Sequence, residues 1–200
     1  GDVETDPDAD EKEIILLAEK GAKEGSLTSD ESDMVTNALK LDEVQVSEIM
    51  TPRVVVTALD KSLTVEEVFK KTPHLHFARI PVFDEELDNI VGIVRRRDLL
   101  TQIADDNDDV RLVDIMDDVR FVPETVTAYS ALQSMLKSHQ QLLAVVDEFG
   151  SLAGVVAMED IMESILGREI FEKDDVAIDM RELARNENSE ANDPLTHKES

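Results

Sequence analysis

The chain repeats itself, and an internal repeat restricts the available folds more than any local pattern does. The segment GIVRRRD at residues 92–98 returns as GVVAMED at residues 154–160. The likeness extends upstream: EIMTPRVVVTALDKSLTVEEVFKKT leading to RIPVFDEELDNIVGIVRRRDLLTQI matches DIMDDVRFVPETVTAYSALQSMLKS leading to LLAVVDEFGSLAGVVAMEDIMESIL. Placing Met50 on Met116, Thr64 on Thr127, Asp84 on Asp147, Gly92 on Gly154 and Asp98 on Asp160 needs only small gaps.

Each copy reads as a short strand, a helix opened by a threonine cap with acid in its first turn, two strands joined by an acidic turn, and a closing helix. The strands RIPVF, NIVGIV, LLAVV and LAGVV are almost wholly apolar, so both faces of each sheet should be covered, a task the helices of the other copy can perform. The expected fold class is therefore α/β (α+β): two β-α-β-β-α repeats packed pseudo-two-fold into one module. Ahead of them, Ile14, Leu17, Ala18 and then Met34, Val35, Ala38, Leu39 recur at helical spacing around the loop GSLTSDES, which predicts two helices over residues 13–41. The expected organisation is a flexible acidic tail over 1–12, a helical connector over 13–46, repeats over 47–105 and 106–167, and an acidic tail over 168–200.

Composition excludes several functions. Without cysteine there is neither a disulfide framework nor thiolate chemistry, which fits a reducing cytosol. No apolar run approaches the roughly 20 residues of a membrane-spanning helix, and the N-terminal stretch has no signal-peptide pattern. A formal charge of −26 repels polyanions, so no nucleic-acid partner is expected.

Catalysis lacks a nucleophile, base and orienter in any recognisable setting, so no enzyme and no catalytic residue is predicted. The stretch DPDADEKEIILL fails as a calcium loop, with Glu11 where the glycine belongs and Leu17 where the bidentate glutamate belongs. DDNDD at 105–109 reads as a solvated linker. His74 and His76 read as loop histidines without metal-ligand company, and the methionines as core filler or a dimer face.

The phrases EIMTPR, RIPVF, DNIVGIV, GVVAMEDIMESILGREI and DMRELAR, in that order, resemble the cytosolic CBS-domain pair (Bateman module) of the CorC/cyclin-M family of membrane-anchored, hemolysin-related divalent-cation transporters. The resemblance covers residues 47–166. It implies a soluble excision from a longer protein, with the fragment at the cytoplasmic face of the membrane, a transmembrane transporter domain of the same protein as partner, and a homodimer formed through the CBS helices near 63–72 and 127–138 and those closing each repeat. It also implies an adenosine ligand, ATP or another adenine nucleotide with Mg²⁺ as counterion, in the cleft between repeats, near Thr51, Arg53, Val55, Phe77, Arg79, Ile80, Pro81, Ala157 and Asp160.

Physical reasons accompany that placement. A glycine lets backbone approach closely, the helix that follows offers free N–H groups to a phosphate, and aspartate one turn in can accept from a ribose diol. Arg53 would neutralise phosphate and Phe77 would stack on the base. The sequence departs from the family motif where Arg95 and Ala157 replace a Ser/Thr hydroxyl, and Arg95 with Asp98 marks a second possible site. Two other readings stand beside nucleotide sensing: a ligand-free dimerisation module, and a direct divalent-cation sensor.

Overall fold

The computed structural model of the protein describes residues 7–170. Helix α1 (Pro7–Glu24) and helix α2 (Ser29–Leu39) form the N-terminal hairpin. Residues 7–12, expected in a tail, are thus the first turns of α1, where Asp8 and Asp10 suit the positive end of the helix dipole. Gly25 at φ 82° ends α1, and Thr28 starts α2 with a reciprocal cap: its Oγ1 accepts from Glu31 N at 3.1 Å while Glu31 Oε2 accepts from Thr28 N at 2.8 Å. Residues 1–6, and all but residues 168–170 of the C-terminal tail expected over 168–200, lie outside the described residues.

The first half continues as α3 (Val46–Ile49), β1 (Thr51–Pro52), β2 (Leu59–Asp60), α4 (Val65–Lys71), β3 (Arg79–Asp84), β4 (Glu86–Arg95) and α5 (Arg96–Ala104). The second runs α6 (Leu112–Ile115), β5 (Phe121–Pro123), α7 (Ala128–Ser138), β6 (Leu142–Val146), β7 (Leu152–Ala157) and α8 (Met158–Leu166). One sheet has the order β2-β3-β4 and the other β1-β7-β6-β5. Within each half a helix crosses between parallel strands, and a hairpin then adds the antiparallel one.

Helices cover only one face of each sheet. In the first half Val82, Ile80 and Val94 pack with Val65, Val68 and Leu99; in the second Leu143, Val145 and Val156 pack with Ala131, Met135 and Ile161. The other faces meet each other, with Ile90 against Ala144 and Leu152, and Ile93 against Leu142 and Val155. The second apolar face is therefore covered by the opposing sheet and not, as expected, by the other copy's helices. Strand alternation explains it, since Ile80 and Val82 point one way while their neighbours point the other.

The halves also exchange their lead-in segments, so the sequence repeats over 47–105 and 106–167 are not the packing units. Val46 of α3 is fully buried in the second half's core and its N–H donates to Val126 O at 2.8 Å. Leu112 of α6 is fully buried in the first half's core and donates to Leu63 O at 2.9 Å. Next in each segment comes a short backbone crossing: β1 pairs with β7, with Thr51 opposite Val155, and Asp117 bridges Ile93 of β4 through bonds of 2.8 and 3.0 Å.

These crossings account for the repeated glycines. A Cβ on Gly154 would overlap the Thr51 carbonyl oxygen, and one on Gly92 would lie 2.6 Å from Met116 Sδ and 2.9 Å from Asp117 O. The close approach that glycine permits is made by the protein's own backbone, not by a phosphate. The acidic linker is likewise structural: Val110 O and Asp108 O accept from Val65 N and Glu66 N, closing the first turn of α4.

Threonine caps α4 and α7 as expected, but α7 has no acid in its first turn; Thr127 accepts from Ser130 N instead. Helix α8 differs again, because its N-cap is Ala157, which has no side-chain acceptor. Ala157→Thr should supply the missing cap and stabilise the protein by about 1 kcal/mol, read as a rise in melting temperature. Gly154→Ala should instead lower it by more than Gly92→Ala does, because rigid backbone blocks the first and a flexible thioether is the nearest obstacle to the second; equal losses would contradict the crossing geometry.

Candidate functional site: the cleft where the halves exchange strands

The end of β7 and the first turn of α8 lie where the two sheets meet, with Ala157 packed against the apolar cluster between them. Asp160, in that turn, accepts from Ala157 N through Oδ2 at 2.7 Å and so satisfies one of the free N–H groups of the helix start. The carboxyl is partly buried, and desolvation, reinforced by the nearby Glu163 and Glu159 charges, pushes its pKa up to about 6 against the lowering effect of the Ala157 N–H. Thr51 on β1 lies opposite Val155, two residues before Ala157. The pairing therefore sets Thr51 on the strand that ends at Ala157, three residues before Asp160.

The apolar floor next to them is made by Ile93, Leu142 and Val155, with Val56 and Ala157 packed against it. Val56 thus takes the place expected of Val55, which is 62% exposed in the one-turn 3-10 helix Arg53–Val55. Val56, Ile93 and Leu142 were not among the expected site residues. The repeat alignment was the available signal, since Ile93 and Val155 follow equivalent glycines.

Other expected residues disperse. Ile80 is fully buried against α4 and α5, on the sheet face away from the cleft. Pro81, its buried neighbour, pairs with Ile93. Arg53 does not await a phosphate: its guanidinium is ion-paired with Asp88, whose Oδ1 also accepts from Leu152 N at 3.0 Å. This bonding holds the Asp88 carboxyl below the usual range, chiefly through Arg53. Phe77 is 54% exposed in the loop before β3, so its ring is accessible.

The arginine run at 95–97 separates into three environments, with Arg97 largely in solvent 3.6 Å from Asp98. Arg96 Nη1 donates to Leu75 O at 3.2 Å and His76 O at 2.9 Å, fixing the loop that carries Phe77. In that loop the His74 and His76 rings stack at 6.2 Å. Arg95 Nε donates to Asp98 Oδ2 at 2.6 Å and lies 3.4 Å from Asp117 Oδ2. Asp98 and Asp117 occupy the places that Asp160 and Thr51 hold in the other half, so the second candidate site is partly filled by its own ion pairs. Beside it a cavity of about 270 Å³ is lined by residues including Arg79, Arg95, Arg97, Asp117 and Leu142.

Among the described residues no group of three or more His, Cys, Asp or Glu is placed to hold a metal ion, and no helix is long and apolar enough to cross a membrane.

Comparison with known proteins agrees with this architecture. The CBS domain family model matches residues 46–105 and 112–167. The UPF0053 protein sll1254 of Synechocystis sp. is 34% identical over 179 residues, which cover 90% of this chain and 51% of that protein. The chain therefore spans about half the length of that relative. A solved CBS domain of the bacterial CNNM/CorC family Mg²⁺ transporter superposes with a TM-score of 0.74 at 33% identity, over 80% of this chain and 98% of that one. A CBS domain of the same description in complex with ATP gives 0.65 at 36% identity, over 69% and 98%. With two matched repeats, two packed halves and these neighbours, the chain belongs to the CBS-domain family as a tandem pair of the CNNM/CorC type.

Proposed function

We propose that this CBS pair is a regulatory module that binds an adenine nucleotide, ATP with Mg²⁺, in the cleft and thereby controls a membrane-anchored Mg²⁺/Co²⁺ transporter domain of the same protein. The observation that supports the reading is the Thr51–Val155 pairing, which joins a segment of the first half to the strand that leads into α8 and its Asp160 carboxylate. Asp160 Oδ1 is the acceptor for ribose hydroxyls, the α8 N-terminus and Arg79 face the α-phosphate, and Val56, Ile93 and Leu142 offer the base an apolar wall with Phe77 at its edge. The complex of a similar CBS domain with ATP supports the choice of ligand.

A ligand that touches both halves can bias their arrangement only through different affinity for two arrangements. A homodimer, formed through the helices on the outer faces of the two sheets, is the body so biased. Mg²⁺ offsets repulsion between a triphosphate and an acidic chain. The role is regulatory and not catalytic.

Calorimetric titration with ATP, with and without Mg²⁺, should give saturable binding that Asp160→Ala abolishes. No heat at millimolar ATP would instead leave a dimerisation module. A shift in melting temperature by Mg²⁺ alone, absent with Na⁺ at equal ionic strength, would indicate direct cation sensing.

The raised pKa of Asp160 fixes two signs. Ribose hydroxyls donate to the carboxylate form, so nucleotide affinity should fall as pH drops below about 6. Because the folded-state pKa lies above the ordinary 3.8, the native state resists ionisation, and Asp160 destabilises it progressively as pH rises through that window. Asp160→Asn keeps an acceptor for Ala157 N without the charge. Its melting temperature should exceed that of the wild type at pH 7.5, with the gap narrowing toward pH 4.5; a less stable Asn variant at pH 7.5 would reverse the assignment.

A further inference from the structure

The two halves differ in the loop that leads from the crossover helix back to the sheet. Seven residues, 72–78, join α4 to β3, whereas three, 139–141, join α7 to β6. The longer loop has no regular secondary structure and carries Phe77, which is 54% exposed. Ordering such a segment costs conformational entropy at every residue, so contacts must hold it. Leu75, buried in the first half's core, anchors its middle. Beyond that anchor the tie is Arg96. Its backbone N–H donates to Ala78 O at 2.9 Å, and its Nη1 donates to Leu75 O at 3.2 Å and His76 O at 2.9 Å. Phe77 lies among the three carbonyls so held.

The repeat shows which of these bonds are special. Arg96 aligns with Met158, whose N–H donates to Gln141 O at 2.9 Å as Arg96 N does to Ala78 O. The backbone bond is common to both halves, while the guanidinium bonds belong to the first alone. A side chain with charged donors therefore stands where the loop is long, and an apolar one where it is short. Phe77 is two residues ahead of Arg79, which shares a cavity wall with Ile93 and Leu142, two of the apolar residues offered to the base.

We propose that Arg96 is a positioning residue for base recognition: acting through the Leu75 and His76 carbonyls, it holds the Phe77 ring at the rim of the cleft before the nucleotide arrives. The inference rests on the nucleotide reading and adds to it the residue that sets how the base is met. In this role Arg96 touches no part of the nucleotide. A ring contributes stacking only while it is presented to the base, and apparent affinity falls in proportion to the fraction of molecules in which it is. A loop that presents Phe77 about a tenth of the time weakens binding about tenfold.

The chain has no tryptophan, so Phe77→Trp places a single indole on the loop. In the intact chain carrying that substitution, Arg96→Met should lower the fluorescence anisotropy of the indole without any ligand. ATP should quench its emission saturably, with about tenfold more ATP needed once Arg96→Met is added. Calorimetry of ATP binding then shows whether Arg96 acts through Phe77. Phe77→Ala and Arg96→Met should each weaken binding about tenfold, and the two together little more than either alone, because both remove the same presented ring. Met is the residue the second half uses at this position, and the charge-preserving Arg96→Lys, expected to fall between wild type and Arg96→Met, replaces it should Arg96→Met not fold. Losses that add, wild-type affinity in either single variant, or unchanged anisotropy overturn the positioning role and leave the nucleotide reading in place. Absence of ATP binding by the wild type overturns both.

Discussion

The structure depends on one backbone crossing, made twice. Thr51 passes over Gly154, and Asp117 passes over Gly92, each at a distance that leaves no room for a Cβ. The crossing adds a strand to the second sheet, delivers α3 and α6 into each other's cores, and forms the cleft. Neither half is complete without its lead-in segment from the other, α3 with β1 or α6, so folding of the two is expected to be cooperative, as it is for small single domains. The same crossing joins Thr51 to the strand that leads into α8, so fold and candidate site share one contact.

Electrostatics sort the two ends of the cleft. At the Asp160 end a carboxyl is kept short of solvent, and its ionisation is correspondingly disfavoured. At the Arg95 end two carboxylates are already answered by a guanidinium. The repeat is symmetric in backbone and asymmetric in charge. Where the duplicated sequence diverges at equivalent sites, as Ala157 does from Arg95, one copy leaves its aspartate with a backbone N–H as partner and the other pairs its aspartate with a guanidinium.

Much of the fold was legible because the signals are local. Apolar strands, threonine caps and the helical spacing of residues 13–41 each follow from short-range preference. What stayed hidden was long-range. Nothing in EIMTPR says that its strand pairs with the opposite half, and the glycines of GIV and GVV suit a phosphate as well as a backbone. Arg53 shows a related ambiguity: phosphate and Asp88 satisfy a guanidinium alike, and in this structure Asp88 is the partner beside it. Ile80 and Val55 failed by phase, since alternation along the strand turns Ile80 to the helices and leaves Val56, not Val55, at the cleft.

Helix α8 is nine residues long, a rod of about 13 Å. One end holds Asp160; at the other, Ile165 O accepts from Asn37 Nδ2 of α2 at 3.1 Å. A displacement at the carboxylate end has little slack to absorb it before it arrives at the N-terminal hairpin. The helix thus reaches from Asp160 to the hairpin directly, and the Asn37 hydrogen bond ties its far end to α2.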